Sequence, residues 1–231
     1  LIQEGIELNI VMVFDYSNGA DVVLARPTIK TLSDVAGKRI GVELNAVGSL
    51  MLRSMLAKAN LSVKDVKIAA MPITQLKDAV GAGQIDVAVT YQPYSDDLLA
   101  LGMKPIFSSA DFPGEIMDVL AIRKDALHLQ DKVNVLMEGY FRTRQYLDDN
   151  ADDGRRRMAG DLGTTVEDIV SYLTCIHLLT REENQKMMQQ PDGLKKMARH
   201  LSEVMNDMGL LKRKLNVDSV IDARWISDVK P

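Results

Sequence analysis

Cysteine is almost absent from this chain. Cys175 is the only one among 231 residues, so no disulfide can form within it, and the cellular compartment stays open. Aromatic residues are scarce at 5%, while there are 13 methionines, which implies an aliphatic, adaptable core. No apolar run reaches the roughly 18 residues needed to cross a bilayer. No signal peptide is evident; the sequence begins at Leu1, in mid-pattern. Positive charge is not in excess. The 28 Lys and Arg stand against 32 Asp and Glu, and a net charge of −4 offers nucleic acid no basic face.

Catalytic and metal-binding signatures are also missing. His128, His177 and His200 lie far apart and form no H-x-x-x-H or H-E-x-x-H spacing, so no metal is expected. Cys175 and His177 are two residues apart. On a helix they would face different ways and make a poor nucleophile–base pair. Asp148-Asp149-Asn150-Ala151-Asp152-Asp153-Gly154 resembles a calcium loop for five positions. It then has Asp153 where the loop needs glycine and Ala159 where it needs glutamate. With Arg155-Arg156-Arg157 it reads as a solvated helix junction. There is no G-x-S-x-G, P-loop or G-x-G-x-x-G; Gly81-Ala82-Gly83 is too short and ends a helix rather than opening one. No cofactor is implied.

What is present is a chain that is 46% hydrophobic and 26% charged, enough for one large domain or two small ones. Leu8–Phe14 reads as a strand, Asp15–Gly19 as a turn and Ala20–Ala25 as a second strand stopped by Pro27. Thr31 and Asp34 open a helical turn that Gly37 closes. Strands are expected at 38–42, 66–70, 86–90, 104–107 and 118–122. Helices are expected at 50–59, 75–80 (capped by Thr74) and 95–101. This alternation argues for an α/β fold with a parallel or mixed sheet covered on both faces. Beyond residue 123 the spacing becomes helical, with capping boxes at Thr164–Glu167 and Thr180–Glu183 and a last amphipathic helix ended by Gly209.

The chain is organised around Val42–Leu50, a strand end, a short loop and a helix start. A first helical turn leaves backbone N–H groups unpaired and carries partial positive charge. Gly48 allows close approach there, and Ser49 adds a hydroxyl, as an anion pocket would require. In open α/β sheets ligands sit beyond the carboxyl ends of strands. The polar and aromatic residues expected at such ends are Asp15, Ser17 and Asn18; Asn45, Gly48 and Ser49; Thr90, Tyr91 and Gln92; and Glu115 with Asp118.

Four motifs then fall into a familiar order: Asp15–Asp21, Ile29–Glu43, Ala82–Val89 and Pro113–Leu120. Together they resemble the solute-binding proteins of ABC importers for alkanesulfonate, nitrate, taurine and thiamin-pyrimidine compounds, over Leu1 to about Asn184. The resemblance implies a two-lobed periplasmic-binding-protein (Venus-flytrap) fold with mixed sheets and a helical C-terminal region. Residues 1–20 and 120–231 would form lobe 1, residues 21–119 lobe 2, with two crossing strands as hinge. Family members begin with two further βα units, on the order of 60 residues or more, so by this resemblance either the chain is a fragment or something else completes that lobe. A lobe 1 without them is expected to be unstable or self-associating.

By the same resemblance the chain would capture a small polar or anionic solute (sulfonate, nitrate or pyrimidine-like). Its partner would be an inner-membrane ABC permease and its location periplasmic or lipid-anchored outside the cytoplasm. The implied ligand-binding residues are Asp15, Ser17, Asn18, Asn45, Gly48, Ser49, Tyr91, Gln92 and Asp118. Where the family commonly has Trp-Glu-Pro, this chain has Tyr91-Gln92-Pro93, which keeps an aromatic wall but removes a charge. An alternative reading is an extracytoplasmic sensing domain of a membrane signalling protein. An enzyme like the fungal thiamin-pyrimidine synthase, which shares this fold, uses a cysteine-rich segment and an active-site histidine. This chain has neither near the strand ends.

Overall fold

The computed structural model describes residues 1–213 and 215–228. Its strands are β1 (Leu8–Ser17), β2 (Asp21–Ala25), β3 (Arg39–Val42), β4 (Lys67–Ala70), β5 (Val87–Tyr91), β6 (Lys104–Ser108), β7 (Met117–Arg123) and β8 (Ile176–Leu178). Its helices are α1 (Ala46–Lys58), α2 (Leu76–Gly81), α3 (Tyr94–Ala100), α4 (Gln130–Asp149), α5 (Ala151–Leu162), α6 (Val166–Thr174), α7 (Arg181–Gln189), α8 (Asp192–Asp207) and α9 (Arg224–Asp228). The chain divides into two compact units. One holds Leu1–Tyr16, Met117–Ser202 and the segment from Lys212; the other holds Ser17–Ile116 and Glu203–Leu211. Residues 203–211 thus join the second unit, an excursion absent from the expected division at residues 20 and 120.

The second unit is built on a five-stranded mixed sheet in the order β4-β3-β5-β2-β6. β3 runs parallel to β4 and β5, and β2 runs antiparallel to β5 and β6. Alternation along the strands feeds two cores. Val23, Ala25, Val87 and Val89 pack with Met51, Leu52, Met55 and Leu56 of α1. Leu24 and Ala88 pack with Leu76, Ala79 and Leu98 of α2 and α3. Both faces are therefore covered, as parallel pairing requires. Gly41 permits this closeness: a Cβ there would lie 2.6 Å from Ile85 Cδ1 and 2.8 Å from Leu76 Cδ2.

At the other end of β3, Arg39 grips Asp86 through Nη2–Oδ1 (2.7 Å) and Nε–Oδ2 (2.9 Å), and its backbone N–H donates to Oδ2 at 3.0 Å. Chiefly through the Arg39 side chain, the Asp86 carboxyl falls to about 2.

The first unit carries a three-stranded sheet in the order β7-β1-β8. β1 pairs antiparallel with β7, with register shifts after Ile10 and after Val13. Side chains from the helical region mend that irregular strand. Asn184 is fully buried; its Nδ2 donates to the Val13 carbonyl (2.8 Å) and its Oδ1 accepts from the Val13 N–H (2.9 Å). The Tyr140 hydroxyl lies against the carbonyls of Phe14 and Leu179, and burial pushes it up to about 12. Val11, Met12 and Val13 pack beneath Met137, Phe141, Met188 and Trp225.

Several local expectations are corrected. β1 continues through Asp15 to Ser17, so the turn begins only at Asn18. α1 starts at Ala46, which places Gly48 and Ser49 inside its first turns rather than in the preceding loop. Thr74 caps nothing; it lies in a 3₁₀ turn (Ile73–Gln75) that leads into α2. The capping box of α6 is Thr165 with Asp168, one residue later than Thr164 with Glu167. Cys175 ends α6 and His177 lies in β8, so they do not share a helix. The Thr180–Glu183 box is present, and Asp148–Gly154 spans the break between α4 and α5.

Candidate functional site

The topology of the second unit points to one place. After β3 the chain enters α1 on one face of the sheet, and after β5 it enters α3 on the other. Between the carboxyl ends of β3 and β5 the covering helices diverge, which leaves a crevice. A recess of about 20 Å3 lies there. Met51, Ile73 and Val89 supply apolar lining; Asp21, Glu43, Asn45, Gly48, Thr90 and Tyr91 supply its polar edge. Asp21 reaches it because β2 runs antiparallel to β5, which sets Asp21 opposite Tyr91.

Asn45 is the N-cap of α1. Its Oδ1 accepts from the Gly48 N–H (2.8 Å), and its Nδ2 donates to Glu43 Oε2 (2.7 Å). Glu43 thereby holds a negative charge beside the positive end of the helix. The glycine at 48 answers a tight backbone: a Cβ there would stand 2.1 Å from the Glu43 carbonyl oxygen. Thr90 is only 2% exposed, and its hydroxyl has no partner among the described residues. Tyr91 is 37% exposed and meets Tyr94 edge-on at 5.6 Å. Burial, then Tyr94, Glu43 and Asp21, raise the Tyr91 hydroxyl above its ordinary value.

Of the residues expected to bind, Asn45, Gly48 and Tyr91 come together in this recess. Ser49 does not line it: it is fully buried, on the inward side of α1, and its hydroxyl has no partner among the described residues. Ser17 is also buried. It hydrogen-bonds Ser109 Oγ at 2.7 Å and accepts from the Asp21 N–H, so its hydroxyl secures the β1–β2 turn. Asn18 is exposed in that turn, and Gln92 follows β5 half-buried, with an unpartnered Oε1. Asp15 and Asp118 belong to the other unit, where they face each other across β1 and β7. Asp21 and Glu43 are not among the residues expected to bind. Glu43 follows the last residue of β3 directly, the signal that could have found it; Asp21 needed the β2–β5 register.

The first unit has a larger, open cavity of about 390 Å3 lined by Arg144, Asp148, Arg155 and His177. Its charges answer one another, Arg144 with Asp148 and Arg155 with Asp152, and His177 hydrogen-bonds Glu183. Among the described residues no cluster of His, Cys, Asp and Glu could hold a metal ion, and no helix is long and apolar enough to cross a membrane.

Residues 3–112 match the family model described as NMT1/THI5 like. A curated relative from Brucella abortus, provisionally named a binding protein, is 30% identical over 95 residues. That alignment covers 40% of this chain and 30% of the relative, so the match spans under a third of its length. The periplasmic aliphatic sulphonate binding protein SsuA of Escherichia coli superposes with a TM-score of 0.75 at 16% identity, covering 95% of this chain and 75% of that one. The desulfurization enzyme DSZB superposes at 0.67 and 15% identity, covering 96% and 79%. The fold thus serves binding proteins and at least one enzyme. Residues 3–112, just under half of the chain, match the NMT1/THI5-like family model, and the chain has the α/β periplasmic-binding-protein fold.

Proposed function

We propose that this chain is the solute-binding component of an ABC importer, working outside the cytoplasm and delivering a small polar compound to a permease in the inner membrane. The observation that carries this reading is the recess where β3 and β5 end, with Asn45, Gly48 and Tyr91 on its edge. The family match over residues 3–112 and the fold shared with a sulphonate-binding protein support it. Asn45 and Tyr91 would touch the solute, with Gly48 keeping the backbone close; Ser17 and Ser49 would serve as scaffold. The reading is of a binder rather than an enzyme, which the fold shared with a sulphonate-binding protein supports.

The test is a thermal-shift screen with sulfonates, nitrate, bicarbonate, phosphonates, pyrimidines and polyamines. A true ligand at a hundred times its dissociation constant adds about 2.7 kcal/mol of stability. Tyr91→Ala, at a part-exposed rim position, should abolish the shift while leaving the unliganded melting temperature nearly unchanged. A panel with no shift, or a shift that survives Tyr91→Ala, would overturn the assignment.

A further inference from the structure

We propose that the open cavity of the first unit is a second binding site, which holds an organic carboxylate by the Arg155 guanidinium and packs its apolar body on Leu147, Leu173 and Ile176. The proposal goes beyond the solute-binding reading, since every residue lining this cavity belongs to the first unit and every residue lining the recess to the second.

The cavity has the size and walls of a small-molecule site. Its volume of about 390 Å3 lies within the usual range, roughly 300–1,000 Å3. Leu147 of α4, Leu173 of α6, and Ile176 and Leu178 of β8 give it apolar walls. His177 is a fixed part of the wall: its Nε2 hydrogen-bonds Glu183 Oε1 at 2.9 Å, and its ring stacks on Tyr16 with centroids 4.7 Å apart.

The two arginines of the lining differ. The Arg144 side chain is only 18% exposed; it pairs with Asp148, and its Nε donates to the Leu178 carbonyl at 3.2 Å. Asp148 is the one carboxylate in the lining, so that pair closes on itself. The ion partner of Arg155 is Asp152, which stands 3.6 Å away, outside the lining and 94% exposed, where an ion pair contributes little. Arg155 donates no hydrogen bond among the described residues, and its Nε is enclosed without a partner. Its planar fork of N–H donors matches a carboxylate through two parallel bonds.

The helix that carries Arg155 adds to this. α5 begins at Ala151, which lines the cavity, and its N-cap Asn150 makes no side-chain capping bond. The Asn150 amide donates back to the Tyr146 carbonyl instead, at 3.4 Å. The positive end of α5 therefore stands at the wall without a capping oxygen from its own N-cap. The first-turn carboxylates Asp152 and Asp153 are not among the lining residues, and Asp153 accepts from the Tyr146 hydroxyl (2.7 Å) and from Arg157 Nε (2.5 Å). Asp148 limits the charge of the ligand: a dianion would crowd this carboxylate, whereas a monoanion balances the one guanidinium that lacks an acceptor.

The experiment is calorimetric titration of the full chain with hexanoate and phenylacetate, each against its neutral amide, and with acetate as the head group alone. Each carboxylate should bind at least about tenfold more tightly than its amide, and acetate more weakly than hexanoate. Arg155→Gln should weaken both carboxylates about tenfold and leave the amides unchanged, with little change in melting temperature because no internal hydrogen bond is lost. Arg155→Lys, which keeps the charge without the fork, should fall between the two. Tyr91→Ala, in the other unit, should leave the carboxylates unaffected. The proposal is overturned if neither carboxylate binds, if the amides bind as tightly, or if Tyr91→Ala rather than Arg155→Gln removes the binding. The solute-binding reading stands or falls separately, on its own screen.

Discussion

The two sheets of this protein solve the same problem by different means. In the second unit, β3 and β5 satisfy one another through regular parallel pairing, and both faces are sealed by helices that follow the strands directly in sequence. In the first unit, β1 is long, shifted twice in register and completed by side chains that arrive from far along the chain. A regular ladder spreads its stability over many equivalent bonds. A mended strand concentrates it in a few side chains, and buried backbone groups left unpaired are costly. The first unit should therefore be sensitive to single polar substitutions, and the second to changes that disturb close packing.

The largest effect expected from this contrast is at Asn184. Asn184→Leu would strip the partners from both the N–H and the C=O of Val13 inside the core, and should cost about 3 kcal/mol in urea denaturation. A loss below about 1 kcal/mol would show that β1 does not depend on this side chain. Next is Gly48→Ala in the second unit. The new methyl cannot coexist with the Glu43 carbonyl oxygen, so α1 must shift, at an expected cost of about 2 kcal/mol and with loss of solute binding. Retained stability with binding lost would sharpen the comparison by confining the strain to the recess.

The smallest effect is the pH dependence carried by Asp86. Its folded pKa is depressed from 3.8 to about 2, mainly by the Arg39 hydrogen bonds. A depressed carboxyl contributes stability that is present above pH 3.8 and lost as pH falls through 3.8 toward 2. Because Arg39 is 43% exposed, the contribution is discounted to about 1 kcal/mol. Asp86→Asn should flatten that part of the acid-unfolding curve. An unchanged curve would mean that the Arg39–Asp86 grip adds nothing measurable to the regular sheet.

The same contrast governs how much could be read in advance. Elements of the second unit were legible because each strand is a short apolar run and each helix follows it after a turn residue: Gly37 before β3, Asn45 before α1, Gly102 before β6. The Thr180 box was legible because its reciprocal bonds are local. Thr165 was missed by one residue because Thr164 and Glu167 offer the same spacing, and only the backbone chose between them. β8 was missed because three residues carry no period; its partner is β1, more than a hundred and fifty residues earlier. In the recess, Asn45, Gly48 and Tyr91 were visible as strand-end residues. Ser17 and Ser49 are buried, a property that sequence does not reveal.

The sequence alone therefore determined the alternation of strands and helices, the caps with local partners, and the resemblance that the motifs from Asp15 to Leu120 carry. Those depend on interactions within a few residues of each other. The tertiary structure alone decided that Asp21 stands opposite Tyr91, that Asn184 closes the ladder of β1, and that the start of α1 is guarded by carboxylates. Each of these is set by strand register or by packing between distant segments, and a one-residue slip in register would turn every side chain to the other face.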